Sequence, residues 1–179
     1  MLRPQSRPAV AKTRCAPQSA SPRWAAVKQK TEPTLRVRAM QHLARREHSR
    51  AELRSKLLVH AREDDDVEAV LDDLVKRNWL SDARATEQVV NGRRARFGTQ
   101  RIAHELRQKG IAESLISDAL PRLKASELEA ARAVWQKKFG AMPQDAKEKA
   151  RQARFLQSRG FALEVIFRVL RVAGPEDDE

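Results

Sequence analysis

The segment Glu105-Leu-Arg-Gln-Lys-Gly-Ile111 lines up without a gap with Phe155-Leu-Gln-Ser-Arg-Gly-Phe161, 50 residues further along the chain. A weaker copy, Lys56-Leu-Leu-Val-His-Ala-Arg62, precedes the first of these by 49 residues. The sixth residue is glycine in two copies and Ala61 in the third. Because glycine is common where a helix ends in a left-handed turn, each copy predicts a helix that stops at a turn.

The apolar positions after each turn repeat with the same offsets, so the similarity covers more than one motif. The corresponding sets are Val67, Ile116 and Ile166; Val70, Ala119 and Val169; and Leu71, Leu120 and Leu170. Apolar residues elsewhere follow a helical period, and no stretch alternates long enough for a strand. The sequence therefore predicts an all-α fold, a tandem array of three three-helix repeats at 33–80, 81–125 and 126–174. Since one unit of this size buries little surface, we expect the units to stack into an elongated, curved array.

Polar residues at helix starts support the helical prediction locally. Ser49-Arg-Ala-Glu52 has the form of a capping box, in which the hydroxyl and the carboxylate each satisfy a free backbone N–H. The run Asp64–Asp66 precedes an apolar helical pattern, where negative charge favours a helix N-terminus. We further predict that Thr99 caps one helix and that Ser126 begins another.

The composition favours helices and an anionic partner. The 179 residues carry a net charge of +12, with a pI near 10.6, which indicates a polyanionic partner: nucleic acid, a nucleic-acid complex or an anionic membrane surface. Aromatic residues make up 4%, with no Tyr, which argues against a base-stacking platform. We predict that Trp79 and Trp135 are packing residues at helix ends or at seams between helices. Cys15 is the single cysteine, which excludes an internal disulfide, and no apolar run is long enough to cross a membrane.

The two ends of the chain differ from the predicted repeats. Residues 1–32 contain four of the eight prolines and seven basic residues against one acidic residue. Such a segment buries too little apolar surface to offset its ordering entropy, so it is predicted to be a disordered basic tail. Residues 175–179 form an acidic C-terminal end.

No specific catalytic set is present in the sequence. There is no glycine-rich phosphate loop and no His-Glu-x-x-His pattern, and the four histidines lack the spacing of a metal site. We therefore expect a protein that is not an enzyme and that needs no cofactor.

Basic residues are the candidate binding site for a partner or DNA. Between residues 93 and 109 the only acidic residue is Glu105, so we predict that most of these charges are unpaired. Arginine outnumbers lysine, which suits bidentate contacts to phosphate or carboxylate. The predicted binding residues are Arg45, Arg46, Arg50, Arg54, Arg93, Arg94, Arg96, Arg101, Arg107, Lys109, Lys137, Lys138, Arg151 and Arg154.

Four collinear motifs resemble the RecX family of bacterial regulators. They run from Leu43 to Leu57 (LARREHSRAELRSKL), from Trp79 to Arg84 (WLSDAR), from Arg101 to Ile111 (RIAHELRQKGI) and from Lys149 to Phe161 (KARQARFLQSRGF). The similarity extends from about Leu35 to Val172 and leaves out the basic tail.

The resemblance implies tandem three-helix repeats and a non-catalytic modulator, usually an inhibitor, of the recombinase RecA. It implies binding in the groove of the RecA–DNA filament, which limits filament extension, ATP hydrolysis and strand exchange in homologous recombination, DNA repair and the SOS response. We expect a cytoplasmic monomer that also binds single- and double-stranded DNA weakly through phosphates. The alternative is a stand-alone DNA-binding protein in which residues 99–109 form the reading helix of a helix-turn-helix-like unit.

Overall fold

The computed structural model describes residues 32–171, and these residues form eight α-helices and no β-strand. The predicted basic tail, apart from Glu32, and the predicted acidic end lie outside the described residues. The helices are α1 Leu35–Leu43, α2 Arg50–Leu58, α3 Val67–Lys76, α4 Asp82–Arg93, α5 Thr99–Gln108, α6 Glu113–Lys138, α7 Ala146–Ser158 and α8 Leu163–Arg171.

Three hydrophobic cores, one for each three-helix unit, hold these helices together. Helices α1 to α3 enclose the first core, α4, α5 and the first half of α6 the second, and the rest of α6 with α7 and α8 the third. The leucines that correspond in the repeat, Leu57, Leu106 and Leu156, are each completely buried in a different core. Burying one such side chain contributes about 1.5–3 kcal/mol. The prediction of an all-α array of three three-helix units is confirmed.

Helix α6 is continuous through residues 113–138, so it serves as the last helix of the second unit and the first helix of the third. The prediction that a helix begins at Ser126 is wrong, because the Ser126 hydroxyl donates to the Arg122 carbonyl, 3.2 Å away, inside the same helix. A serine that bonds back to its own helix does not cap a new one. The two halves still bury different faces, with Ile116 in the second core and Trp135 in the third.

Polar side chains cap the starts of α2, α3 and α4. The side chains of Ser49, Asp66 and Ser81 accept hydrogen bonds from the first turns of these helices, in that order. The prediction for Thr99 is wrong, because Gly98 is the N-cap of α5 and Thr99 is the first helical residue. The Thr99 hydroxyl instead donates to the carboxylate of Glu127, at 2.8 Å.

The same joint connects each unit to the next. Helix α5 begins on the turn that ends α7, where the Gly98 amide donates to the Arg159 carbonyl (3.0 Å) and the Gln100 amide to the Gly160 carbonyl (3.3 Å). Helix α2 begins on the turn that ends α5, where the Ser49 hydroxyl donates to the Lys109 carbonyl. In both joints, the first turn of the second helix of one unit (α2 or α5) contacts the turn that ends the second helix of the next unit (α5 or α7).

The glycines of the repeat follow from this joint. Gly110 and Gly160 have φ values of +69° and +79°, which favour glycine, and a Cβ on either would overlap the Cβ of Ala51 or Arg101 in the docked helix. The corresponding Ala61 does not have a positive φ. Among residues 32–171, no backbone hydrogen bond joins another helix to the turn after α2, which contains Ala61.

A buried carboxylate adds to the joint between the second and third units. Glu127 of α6 is only 5% exposed, and its Oε1 accepts from the backbone amides of Thr99 and Ala162, each at 3.1 Å. These amides lie at the N-terminal ends of α5 and α8, where backbone donors lack partners within the helix and negative charge is favourable. One side chain therefore connects α5, α6 and α8.

Candidate functional site

In the first unit, the predicted binding residues are mostly paired with carboxylates. Arg50 contacts Glu68 and Asp72, both at 2.7 Å, and Arg54 also contacts Glu68. The hydrogen bonds to Asp72 and Glu68 raise the pKa of Arg50 above its usual value. Of this group, only Arg45 has no carboxylate partner among residues 32–171. A guanidinium group that is paired with a carboxylate attracts a polyanion less strongly. The first unit therefore has fewer free positive charges than its sequence indicated.

Arg46 is neutralised within a small network at the joint between the first two units. It pairs with Glu52, which also contacts Lys109 at 3.4 Å. Burial raises the pKa of Glu52, but the hydrogen bond from Arg46 and the charges of Lys109 and Arg46 outweigh it, and the net pKa is lowered. His48, which is buried against the Arg46 carbonyl, has its pKa lowered mainly by burial.

In the second unit, the prediction that residues 93–109 lack acidic partners is partly wrong. Arg93 pairs with Glu105 at 3.1 Å and Arg107 with Glu113. The Glu113 carboxylate lies outside the sequence window, as does the Glu52 partner of Lys109, so counting local acids missed them. Within the described part of the chain, the predicted residues without a carboxylate partner are Arg94, Arg96 and Arg101 in this unit and Lys137, Lys138, Arg151 and Arg154 in the third.

Three phenylalanine rings lie close to the guanidinium groups of four arginines at the joint between the second and third units. The Cζ of Arg101 lies 4.8 Å from the ring centroid of Phe97, and those of Arg93 and Arg159 lie 5.8 Å from it. Arg159 also lies 4.8 Å from the ring of Phe155. These are distances at which a guanidinium is attracted to an aromatic face.

The row continues into the third unit through a second ring contact. Phe155 meets Phe139 edge-on, with centroids 5.3 Å apart, and Arg151 lies 5.9 Å from the Phe139 ring. We call the whole set the Arg–Phe ladder; its members are Phe97, Phe139, Phe155, Arg93, Arg101, Arg151 and Arg159. It combines four arginines with three aromatic rings at this joint.

Sequence reasoning placed Arg93, Arg101 and Arg151 in the candidate site but left out Arg159 and the three rings. A signal for two of the rings was present: Arg94-Ala-Arg-Phe97-Gly98 resembles Gln136-Lys-Lys-Phe139-Gly140, so the second and third units each place two basic residues within three positions before a phenylalanine. This pattern could not show that Phe155, which belongs to α7, contacts Phe139 and shares Arg159 with Phe97.

An open groove of about 1030 Å³ separates α2 from α5 and adjoins the ladder. Arg101 belongs to both features, and the groove also contains Lys56, for which the described residues provide no carboxylate partner. Its floor contains small residues such as Ala51 and Gly110. The lining residues with charged or titratable side chains are Glu52, Lys56, Arg101, His104, Glu105, Arg107 and Lys109.

The two tryptophans differ from each other. Trp135 is buried and donates to Gln152 Oε1 at 2.7 Å, as a packing residue should. Trp79 lies just after the end of α3 and is 42% exposed, and the guanidinium groups of Arg36 and Arg77 lie 5.9 and 5.6 Å from its ring centroid, so it contacts side chains at a helix end without entering a core.

Guanidinium and ammonium groups without a carboxylate partner are the side chains of this surface that are able to attract an anion. Residues 32–171 contain no group of three or more His, Cys, Asp or Glu side chains placed to hold a metal ion. Over the same residues, no helix combines the length and the apolar character needed to cross a bilayer.

Comparison with known proteins agrees with this architecture unit by unit. Three family models match in order: RecX, first three-helix domain, at residues 36–74; RecX, second three-helix domain, at 81–120; and RecX, third three-helix domain, at 125–170. A crystal structure of RecX from Lactobacillus salivarius has a TM-score of 0.65 and 17% identity to this chain, and the alignment covers 77% of this chain and 93% of that one. That likeness shows a shared fold.

Relatives with higher identity cover about four fifths of this chain. The chain is 51% identical over 145 residues to the regulatory protein RecX of Leptothrix cholodnii, which is 81% of this chain and 92% of that protein. It is 45% identical over 140 residues to the regulatory protein RecX of Ralstonia nicotianae, covering 78% and 88% respectively. With three collinear domain matches and this degree of identity, the chain belongs to the RecX family of regulatory proteins.

Proposed function

We propose that this protein is a non-catalytic regulator of RecA that binds in the groove of the RecA–DNA filament. We propose inhibition as its effect, because regulators of this family are usually inhibitors. In the groove it limits filament extension, ATP hydrolysis and strand exchange, as part of recombinational DNA repair and the SOS response. The observation that carries the proposal is the run of three RecX domain matches over residues 36–170, shared with relatives named regulatory protein RecX. We further propose that it acts as a cytoplasmic monomer.

The charge distribution supports a filament as the partner. A RecA–DNA filament presents acidic side chains and phosphates along a helical path, and arginines can bind both groups bidentately. The described second and third units contain seven of the predicted binding residues without a carboxylate partner, whereas the first unit contains one. We therefore expect the second and third units to contribute most of the electrostatic contact.

The DNA-dependent ATPase activity of RecA provides the test. The full chain, titrated below equimolar amounts onto RecA assembled on single-stranded DNA, is expected to lower the rate of ATP hydrolysis. Doubling the RecA concentration at a fixed ratio should leave the fractional inhibition unchanged if the filament is the target. An ATPase rate that stays constant at every ratio would refute the proposal.

The alternative function, a stand-alone reader of DNA sequence, receives less support from the geometry. In helix-turn-helix proteins the N-terminal residues of the reading helix enter the major groove. Here the N-terminal end of α5 rests on the turn after α7, and Thr99 is buried with its hydroxyl on Glu127. Tight binding of one duplex sequence over scrambled duplexes, without RecA, would favour this alternative.

A further inference from the structure

A second pocket, of about 510 Å³, lies in the third unit between α6, the loop after it and α8. Its walls are mainly apolar, and the residues that line it include Arg132, Ala133, Trp135, Gln136, Met142 and Val169. We propose that this pocket is the docking site of the chain's own segment 172–179, whose sequence is Val-Ala-Gly-Pro-Glu-Asp-Asp-Glu. The docking does not depend on the RecA proposal, because it needs no second protein.

Position is the first argument for this occupant. Val169 lines the pocket and Arg171 is the last described residue, so the segment begins within one helical turn of the site. By the offsets of the repeat, Ala173 corresponds to Leu123 and Leu74, which are 4% and 0% exposed in the second and first cores. Continuing α8 by four residues from Val169 puts residue 173 on the same face of the helix. An alanine at this core position is shorter than leucine and leaves room for the residues that follow it.

The order of residue types in the segment matches the pocket. Residues 172–175 carry no charge, and residues 176–179 are all acidic. Pro175 has a ring that fixes its φ angle, and proline-containing segments dock in grooves with aromatic walls. In the docked segment, Pro175 therefore packs on the wall that Trp135 provides, and the acidic residues lie at the rim of the pocket.

Charge complementarity is the third argument. Within residues 32–171, Arg132 on the pocket wall and Arg171 at the end of α8 have no carboxylate partner. Residues 126–171 contain ten basic and five acidic residues, so their net charge attracts carboxylates. Glu176 follows Arg171 by five positions, which span up to about 17 Å when extended. That length is enough to cross a pocket of about 510 Å³ and bring the acidic residues to Arg132.

A weak contact is enough to dock a segment that is already attached beside its site. A short flexible connection gives an effective concentration on the order of millimolar, so a dissociation constant in that range leaves the segment docked about half of the time. When it is docked, four carboxylates lie next to the third unit and offset most of its excess of basic residues. A polyanionic partner that uses the cations around this pocket has to displace the segment.

Paramagnetic relaxation in NMR spectra of the full chain tests the docking. Cys15 is the single cysteine, so the variant C15S/D178C accepts one spin label within the acidic part of the segment. We expect the label to broaden the indole N–H signal of Trp135 strongly, and that of Trp79 in the first unit much less. A mixture of spin-labelled chains without nitrogen-15 and unlabelled nitrogen-15 chains should show no broadening. Broadening of Trp135 in the mixture would mean that the segment of a second copy occupies the pocket, which overturns the proposal.

Charge variants distinguish docking from a segment that is merely tethered nearby. R132Q removes a positive charge from the pocket wall and should lower the docking constant about two- to fivefold, as expected for an exposed ion pair. The broadening of the Trp135 signal should fall with it. The matched control R154Q removes the same charge from α7, outside the pocket, and should leave the broadening unchanged.

The apolar part of the site has its own pair of variants. A133L narrows the pocket without changing its charge and should also reduce the broadening of Trp135, whereas A69L, at an exposed position of α3, should not. Thermal melting checks that each variant is folded. The proposal is overturned if either R132Q or A133L leaves the broadening of Trp135 as it is in the labelled chain without that substitution.

Discussion

Replacing Gly98 by alanine tests the joint between units directly. Gly98 has φ −75° and ψ 165°, which alanine also adopts, so the backbone conformation costs little. The added Cβ, however, would overlap the carbonyl group of Gly160 and the amide nitrogen of Phe161. Because both obstacles are backbone atoms, the helix α5 has to move away from the turn after α7.

The expected loss follows from the contacts that this movement breaks. Overpacking a close contact costs about 1–3 kcal/mol. The two backbone hydrogen bonds of the joint, from Gly98 at 3.0 Å and from Gln100 at 3.3 Å, contribute about 0.5–1.5 kcal/mol each. We therefore expect G98A to lower the free energy of unfolding by about 2–6 kcal/mol.

Urea unfolding followed by far-ultraviolet circular dichroism measures this loss, and other glycines provide controls. A Cβ at Gly92, within α4, meets nothing within 4 Å, so G92A should stabilise the protein by about 0.5–1 kcal/mol. Gly140 has φ +69° but a Cβ there meets only the Gln136 carbonyl, at 3.5 Å, so G140A should cost about 1–2 kcal/mol from conformation alone. If the free energy of unfolding of G98A lies within about 0.5 kcal/mol of the wild-type value, the close contact between α5 and the turn after α7 is refuted.

Three other changes test buried polar groups. E127A leaves two buried donors of Thr99 and the partly buried Ala162 amide without their acceptor, and it should cost about 3 kcal/mol or more in urea unfolding. E129A, at an exposed position of the same helix, should cost less than about 0.5 kcal/mol. Burial lowers the pKa of His48 below 6.5, so the unfolded chain binds more protons than the folded chain, and the free energy of unfolding should fall as the pH drops below 6.5. The variant H48Q should make the free energy of unfolding depend less on pH in this range. A slope that is the same in H48Q and the wild type would contradict this role of His48. W135F removes the donor to Gln152 and should lower stability by about 1 kcal/mol in calorimetry; an unchanged melting temperature would show that the hydrogen bond contributes nothing.

Features that depend on neighbours in sequence could be predicted without the structure. The helical period placed Leu57, Leu106 and Leu156 in the cores, and the glycines marked the turns after α5 and α7. Helix continuity through Ser126 could not be read locally, because a serine in that position can either cap a helix or bond back within one. The choice depended on which faces of α6 the second and third cores bury.

The candidate site was predictable only as a list of cations. The sequence showed where arginines are frequent. Whether each arginine is free to attract an anion depends on carboxylates of other helices that lie beside it in the fold. Lys109 is paired with Glu52 of the first unit, and Arg93 with Glu105 of the next helix. Arg159 gained interest only when the fold placed it between Phe97 and Phe155.

The sequence by itself determined that this chain is helical, repeated three times and strongly basic, since apolar period, turn glycines and charge are local or additive properties. It also contained enough of the RecX motifs to indicate the family. Only the tertiary structure decided which charges remain unpaired, how α5 rests on the turn after α7, and that phenylalanines from two units meet a shared arginine. These depend on contacts between residues about 60 positions apart, whose geometry is determined by the packing of whole helices.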